Sequence, residues 1–340
     1  MNILVPSAGK RFLHIQYLKE SVGAERVITT ELSPLAPGLH AADRGYQVPP
    51  ITHPDYLDTV WKICRREKIG MIVPLMDNDI EVFSNARERF EAAGMRILLS
   101  PRETVNLALD KYATARFFLE NDLPAPATIL ASEWRKLGVE MALPVLIKPR
   151  YPARRAQKGY DIQVIHSQAE LKEVLQAIEG REENYVFQEL LSGTELTIDF
   201  FCDAEGQLVS VVPGERLSAL STAFSKNGGA INMGKVFHDA HLEALVRKAT
   251  QALRFFGPSN FQGYRAADGT VKFTEINPRF TGATVMTRGA GRDFFQWSVD
   301  LILGKPVLPP QEDFRDVYMT MWMAPIFFET PPVIDVPEEQ

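Results

Sequence analysis

The sequence predicts a chain of mixed class, α/β over its first hundred residues and α+β beyond them. Three observations lead there. Short apolar runs alternate with amphipathic stretches from Asn2 to Leu99, the pattern of a parallel sheet covered on both faces. Later runs flank the turns Asp203-Ala-Glu-Gly206 and Ala267-Asp-Gly269, which signal antiparallel pairs. The last pair ends in KFTEINPRF, Lys272 to Phe280, where Glu275, Asn277 and Arg279 alternate and so share one face of a strand. A carboxylate, an amide and a guanidinium make a poor core. They make either a solvated face or a site for metal and phosphate.

In the first unit the predicted strands are Asn2 to Val5, Arg26 to Thr30, the brief Gln47 to Pro49, Gly70 to Pro74 and Arg96 to Leu99. Helical periodicity covers Arg11 to Ser21, Asp55 to Glu67 and Asp79 to Ala93. A boundary falls near Ser100-Pro101, where a new helix opens. Beyond it, Pro101 to Leu109 and Lys111 to Asn121 read as helices, Val145 to Lys148 and Asp161 to Ile165 as strands. Gln168 to Ile178 is a helix with Ser167 as its N-cap. Tyr185 to Glu189, Glu195 to Cys202, Leu208 to Pro213, Ser259 to Ala266 and Val271 to Asn277 are strands, and Leu242 to Phe256 and Phe294 to Leu303 are helices. In the proline-rich tail the apolar run Met319 to Phe328 reads as a late strand packed on the body.

The composition is that of a water-soluble globular protein: 340 residues, 45% hydrophobic and 24% charged. A formal charge of −6 argues against a nucleic-acid binder that relies on clustered Lys and Arg. Cys64 and Cys202 match no metal or redox spacing and are expected as reduced thiols of a cytoplasmic protein. The start, MNILVPSAGKRF, has only a short apolar run before Pro6, unlike a signal peptide. No apolar stretch approaches the roughly 20 residues that span a bilayer, so no membrane partner is expected.

Four segments carry the chemistry. They are Leu109-Asp-Lys111 with Asp122-Leu-Pro-Ala-Pro-Ala-Thr128; Leu143-Pro-Val-Leu-Ile-Lys-Pro-Arg150; Val186-Phe-Gln-Glu-Leu-Leu-Ser-Gly-Thr-Glu-Leu-Thr-Ile-Asp199; and Asn260-Phe-Gln-Gly with Phe273-Thr-Glu-Ile-Asn-Pro-Arg279. In this order and spacing they resemble the ATP-grasp superfamily over about residues 101–305, and within it the carbamoyl-phosphate-synthase-like and carboxylate–amine ligase branch. Residues 1–100 resemble its Rossmann-like pre-ATP-grasp companion domain. The resemblance implies an ATP-grasp domain over 101–310, with a mobile lid at about 112–185, a metal-bearing part at 186–310 and a tail at 311–340.

It also implies ATP with Mg2+ (or Mn2+) and assigns roles. Lys111 and Lys148 hold the phosphates as point charges. The backbone of Gln188, Glu189, Leu190 and Leu191 meets the adenine, and Glu195 the ribose hydroxyls. Gln262, Glu275 and Asn277 are metal ligands, with Gln262 where many relatives carry an acid. Arg279 faces the transferred phosphoryl group, and Arg288, with Arg216 second, holds a substrate carboxylate. The chain departs from the family in the loop Pro149 to Gly159, basic through Arg150, Arg154, Arg155 and Lys158 where relatives are rich in glycine and serine. Lys226 and Arg292 lie in segments that border the acceptor pocket of relatives.

The expected activity is amide formation between a small carboxylate, such as an amino acid, and an amine, through an acyl phosphate. Two alternatives stay open: phosphorylation of bicarbonate or carbamate, and a nucleotide-binding regulatory protein with weakened catalysis. A dinucleotide oxidoreductase is remote, because Ser7-Ala-Gly-Lys10 is not G-x-G-x-x-G. A homodimer is an expectation from the family.

Overall fold

The structure, a computed structural model, describes residues 1–137, 142–152, 162–217 and 233–334. Three sheets organise it. The first is parallel and made of β1 (Asn2–Pro6), β2 (Arg26–Glu31), β3 (Arg44–Gln47), β4 (Ile69–Ile72) and β5 (Arg96–Ile97), in the spatial order β3-β2-β1-β4-β5. The chain builds outward from β1 to β3, then crosses back over β1 to add β4. Loops leaving the carboxyl ends of β1 and β4 therefore diverge and leave a crevice between them.

The second sheet is antiparallel, β6 (Thr128–Leu130), β7 (Val145–Pro149), β8 (Gln163–Ile165) and β9 (Tyr185–Glu189), in the order β6-β9-β7-β8. The helix Gln168–Ala177 packs on it through Leu171 and Val174. Ser167 caps that helix by accepting from the Glu170 amide. The third sheet is also antiparallel: β10 (Thr194–Cys202), β11 (Leu208–Arg216), β12 (Met233–Val236), β13 (Gly257–Arg265), β14 (Val271–Asn277) and β15 (Val317–Thr320), ordered β14-β13-β10-β11-β12-β15. A last short strand, β16 (Val333–Ile334), returns to β3 and pairs with it in parallel.

The first and third sheets share a core. Ile15 and Leu18 of the helix Phe12–Glu20 meet Phe295 and Val299 of the helix Phe294–Ile302, together with Phe201 and Phe280. Phe280 stacks on Phe295 at 4.6 Å. Each such buried ring contributes about 1.5–3 kcal/mol, so the end of β14 is fixed to the first domain. Cys64 and Cys202 are free thiols buried in different cores.

Three local expectations change. The helix expected over Asp79 to Ala93 is two, Asp77–Asn85 and Arg87–Glu91. β6 and the helix Ala131–Leu137 are additional elements ahead of the Val145 strand. The run Met319 to Phe328 is not one packed strand: only Val317–Thr320 pairs, and Trp322, Met323 and Phe327 are 82%, 95% and 89% exposed. Pro325 within the run lacks the N–H a ladder needs.

One irregularity decides the site. Along β13 and β14, Gln262 pairs with Glu275 but Gly263 pairs with Phe273, leaving Thr274 as an extra residue, a β-bulge. A Cβ on Gly263 would lie 2.4 Å from the Lys272 carbonyl oxygen. We expect Gly263→Ala to destabilise the fold by about 2 kcal/mol or more. Urea unfolding checks this, and a stability equal to wild type would contradict the tight pairing at the bulge.

Candidate active site

The bulge sorts the side chains of three strands. Leu196, Ile198, Phe261, Phe273 and Ile276 all enter one core. Phe273 and Ile276 are three residues apart, so a regular strand would place them on opposite faces. The extra residue returns both to the core and turns Glu275 and Asn277 to the other side. That side carries Glu195, Thr197 and Asp199 on β10, Asn260, Gln262 and Tyr264 on β13, and Glu275 and Asn277 on β14, cross-strand neighbours by register. Thr197, Asp199 and Asn260 lie beside the residues singled out from sequence; the alternation in Thr194-Glu-Leu-Thr-Ile-Asp199 was the signal for the first two.

This face meets a narrow cavity lined by Asp77, Lys111, Thr114, Pro152, Glu275 and Asn277. Lys111 starts the helix Lys111–Glu120 and is 8% exposed. Asp110 caps that helix through the amides of Tyr112 and Ala113. Asp110 also takes both arms of Arg150 at 2.8 and 2.6 Å, and the Lys111 amide donates to the Arg150 carbonyl. Burial raises the Asp110 carboxyl, but the Arg150 hydrogen bonds outweigh it and leave it below its usual value. So Arg150, expected among the basic loop cations, clamps the loop to the Lys111 helix. Arg154, Arg155, Lys158 and Lys226 lie outside the described residues.

Lys148, 4% exposed, sits on β7 opposite Val186. Gln188 and Glu189 close β9, and Leu190 and Leu191 lie just past its end. The Gln188 side chain donates to Thr128 Oγ1 at 2.8 Å. Glu189 binds Lys272 at 2.6 and 2.7 Å, tying the second sheet to β14. Burial raises Glu189, and the Lys272 bond reverses the shift, leaving its carboxyl low. Glu195 pairs with Arg216 at 2.9 Å. Its carboxyl is raised by burial, with Arg216 opposing and Glu275 adding. Arg216, the second choice for a substrate carboxylate, thus has an internal partner.

Arg279 donates from Nε and Nη2 to Asp77 Oδ1 at 2.8 and 2.5 Å, and from Nη2 to Asn277 Oδ1 at 3.0 Å. Asp77 is 202 residues away, and no local pattern could have named it. Arg288 is placed differently from the sequence expectation. It is held by Glu20 at 2.7 Å and Asp293 at 3.0 Å, and it lies over the Tyr17 ring. Two carboxylates of the chain already satisfy its charge. Beneath the face, fully buried Asp199 accepts from Asn260, Thr281 and Thr287, which ties β10 to the loop after Arg279. Burial pushes its carboxyl up to about 6.

The donors on this face suit magnesium. On the β13–β14 pair they are hard oxygens, the carboxylate of Glu275 flanked by the amides Gln262 and Asn277. Asn260 Oδ1, on the residue paired with Asn277, is buried with no hydrogen-bond partner. Magnesium is commonly held by one or two carboxylates, with substrate phosphates completing the shell. Among the described residues no three His, Cys, Asp or Glu gather as a self-sufficient metal cage.

An antiparallel sheet with buried Lys148, a second antiparallel sheet that presents Glu275 and Asn277, and a helix opened by buried Lys111 frame the site. Residues 3–98 match the family described as PylC-like, N-terminal domain, and residues 181–323 match ATP-grasp in the biosynthetic pathway with Ter operon. The two matches place a PylC-like N-terminal segment ahead of a segment similar to ATP-grasp domains. It is 26% identical over 227 residues to the carbamoyl phosphate synthase large chain of Thermomicrobium roseum, covering 63% of this chain and 20% of that one. The chain thus spans about a fifth of the length of the curated relatives it matches.

Among solved structures it resembles the biotin carboxylase domain dimer of Hydrogenobacter thermophilus 2-oxoglutarate carboxylase, in complex with magnesium ADP, ADP and bicarbonate. There the TM-score is 0.71 at 15% identity, over 92% of this chain and 72% of that one. It also resembles the L-amino acid ligase of Bacillus licheniformis, with a TM-score of 0.66 at 17% identity, over 90% of this chain and 75% of that one. At such identities these likenesses speak for the fold. Among the described residues no helix is long and apolar enough to cross a membrane.

One titration prediction follows from the turn that carries Asp77. Burial pushes Asp79 up to about 7, against hydrogen bonds from Ser7 and the Met76 amide. An unfolded Asp titrates near about 3.9. The folded chain holds this proton more tightly, so stability falls as pH rises from about 4 to about 7. Asp79→Asn should lack that component. Urea unfolding between pH 5 and 7 should show wild type losing more stability than the variant, by up to about 1.4 kcal/mol per pH unit. Parallel profiles would contradict the assignment.

Proposed function

We propose that the protein is an ATP- and magnesium-dependent ligase that joins a small carboxylic acid, such as an amino acid, to an amine through an acyl phosphate. One observation carries this: the bulge at Thr274 turns Glu275 and Asn277 into the cavity that Lys111 enters. In this reading Lys111 and Lys148 hold the ATP phosphates. The backbone from Gln188 to Leu191 receives the adenine and Glu195 the ribose hydroxyls. Glu275, Asn277 and Gln262 hold magnesium, which neutralises phosphate charge. Arg279, oriented by Asp77, meets the transferred phosphoryl group and stabilises its developing charge.

The acid's carboxylate oxygen attacks the γ-phosphorus, and the bond to the β-phosphate oxygen breaks to release ADP. The amine nitrogen then attacks the acyl carbon. The bond to the phosphate oxygen breaks, phosphate leaves, and the nitrogen loses a proton. Catalysis is positioning and charge stabilisation, so no protein nucleophile is required. The second sheet, whose strand β7 leads to Pro152 on the cavity wall, shields the acyl phosphate from water.

The sequence likeness to carbamoyl phosphate synthase large chains supports a second reading, phosphorylation of bicarbonate or carbamate. Phosphate release separates the two. ATP and magnesium are offered with a panel of amino acids and other small acids, each with and without amines, and with bicarbonate and ammonia. Release that requires an acid and an amine together is expected, and Glu275→Ala should lower it at least ~100-fold. Release with bicarbonate alone would favour the second reading. No release from any mixture, with ATP still bound, would leave a regulatory binding protein. Asp77→Asn should lower kcat about tenfold while the KM for ATP stays within about twofold, the mark of a lost transition-state contact. An unchanged kcat would contradict the orienting role of Asp77.

A further inference from the structure

The first domain has a cleft of its own, at the carboxyl ends of β1, β2 and β4, where the strand order reverses. Open parallel sheets bind ligands at such switch points. Its volume is about 330 Å3, near the small end of the roughly 300–1,000 Å3 of ligand pockets. That is room for a molecule of amino-acid size.

The lining is charged on both sides and unpaired across. Glu31, at the end of β2, is 9% exposed, and its carboxylate accepts from the Gly9 amide. Burial raises its carboxyl above the usual range. Asp79 is fully buried. Its Oδ1 accepts from Ser7 at 2.8 Å, while its Oδ2 is buried with no partner. Lys10 and Arg11 line the same cleft. Burial, with Arg279 nearby, lowers the Arg11 guanidinium to about 10, and the charge of Asp77 opposes this only in part. Its side chain has no hydrogen-bond or ion-pair partner among the described residues. Ser7 and Gly9 hold positive φ values of 46° and 52°, so the loop between the two sets of charges is a constrained turn rather than a loose tip.

Separated buried charges are costly unless a partner completes them. A simple anion would complete Arg11 and face two carboxylates. A simple cation would complete the carboxylates and leave Arg11. A molecule carrying an ammonium and a carboxylate satisfies both sides.

The cleft also adjoins the phosphate side of the molecule. Met76, Asn78 and Asp79 line it, whereas Asp77, in the same turn, lines the cavity of Lys111 and Glu275. Through Asp77 that turn holds Arg279. A ligand in the cleft lies across one turn of chain from the proposed site of phosphoryl transfer.

We propose that this cleft is the seat of the amine substrate, and that the amine is an amino acid or a similar zwitterion, with its ammonium on Glu31 and Asp79 and its carboxylate on Arg11. What the bound amine does there rests on the ligase reading; that it binds does not.

Calorimetry on the full chain without ATP tests it, with glycine, L-alanine, L-lysine and L-glutamate as probes and ethylamine and N-acetylglycine as one-charge controls. At least one amino acid should bind, and each control at least about tenfold more weakly. Arg11→Leu should erase the preference over ethylamine. Glu31→Gln should erase the preference over N-acetylglycine. Ile51→Trp, which fills the cleft from its rim, should abolish binding of all the probes, and ATP binding by each variant reports that it is folded. No amino-acid binding by a protein that binds ATP would overturn the proposal, as would amino-acid binding indifferent to Arg11→Leu and Ile51→Trp. Binding that responds to the variants, without phosphate release in any mixture, would keep the cleft and overturn the ligase reading. Release that needs an amino acid but ignores the same variants would do the reverse.

Discussion

The extra residue in β14 is the constraint on which the site depends. Without Thr274 out of register, Phe273 and Ile276 could not share a core, and Glu275 and Asn277 could not share the cavity of Lys111. Two demands that conflict in a regular strand, an apolar back and a polar front, are met by one irregularity. It requires a residue without a side chain on the neighbouring strand, and Gly263 supplies it. The bulge is therefore a folding feature and, on the proposed function, a functional one at once, as such irregularities are near active sites.

A second constraint acts at the end of the same strand. Phe280 is buried between the first and third sheets and Arg279, next to it, is paired with Asp77. Hydrophobic burial fixes where the strand ends, and the ion pair fixes where the guanidinium points. Of Arg279 and Arg288, named together from sequence, only Arg279 is bonded to residues that line the cavity, Asp77 and Asn277. Arg288 is consumed by Glu20 and Asp293. The second sheet is joined to this frame by the ion pairs Arg150–Asp110 and Glu189–Lys272. Both are partly exposed and worth little individually.

Much of this was legible because it is local. Strand and helix periods marked nearly all of the first domain, and the turn Ala267-Asp-Gly269 announced the hairpin β13–β14 within a residue or two of its bounds. The Lys111, Lys148 and Glu275 segments were recognisable as short motifs. What escaped notice is non-local or context-dependent. Asp77 reaches Arg279 only through the fold. The β6 segment is half-buried along its length and shows no clean alternation. The apolar tail carried a strand-like composition, but Pro325 breaks its ladder. A guanidinium's partner cannot be read from its neighbours in sequence, and so Arg216 and Arg288 read as free cations although each has a carboxylate in the chain.

The central claim is that the phosphoryl group passes from ATP to a carboxylate before any bond to nitrogen forms. Isotope transfer tests it directly. The acid that supports phosphate release is labelled with 18O in its carboxylate, turned over with ATP and the amine, and the released phosphate is read by mass spectrometry. An acyl phosphate leaves one carboxylate oxygen in the phosphate, so each turnover should give a singly labelled ion. Phosphate released without the label would mean that water or the amine, not the carboxylate, had attacked, and would contradict the account.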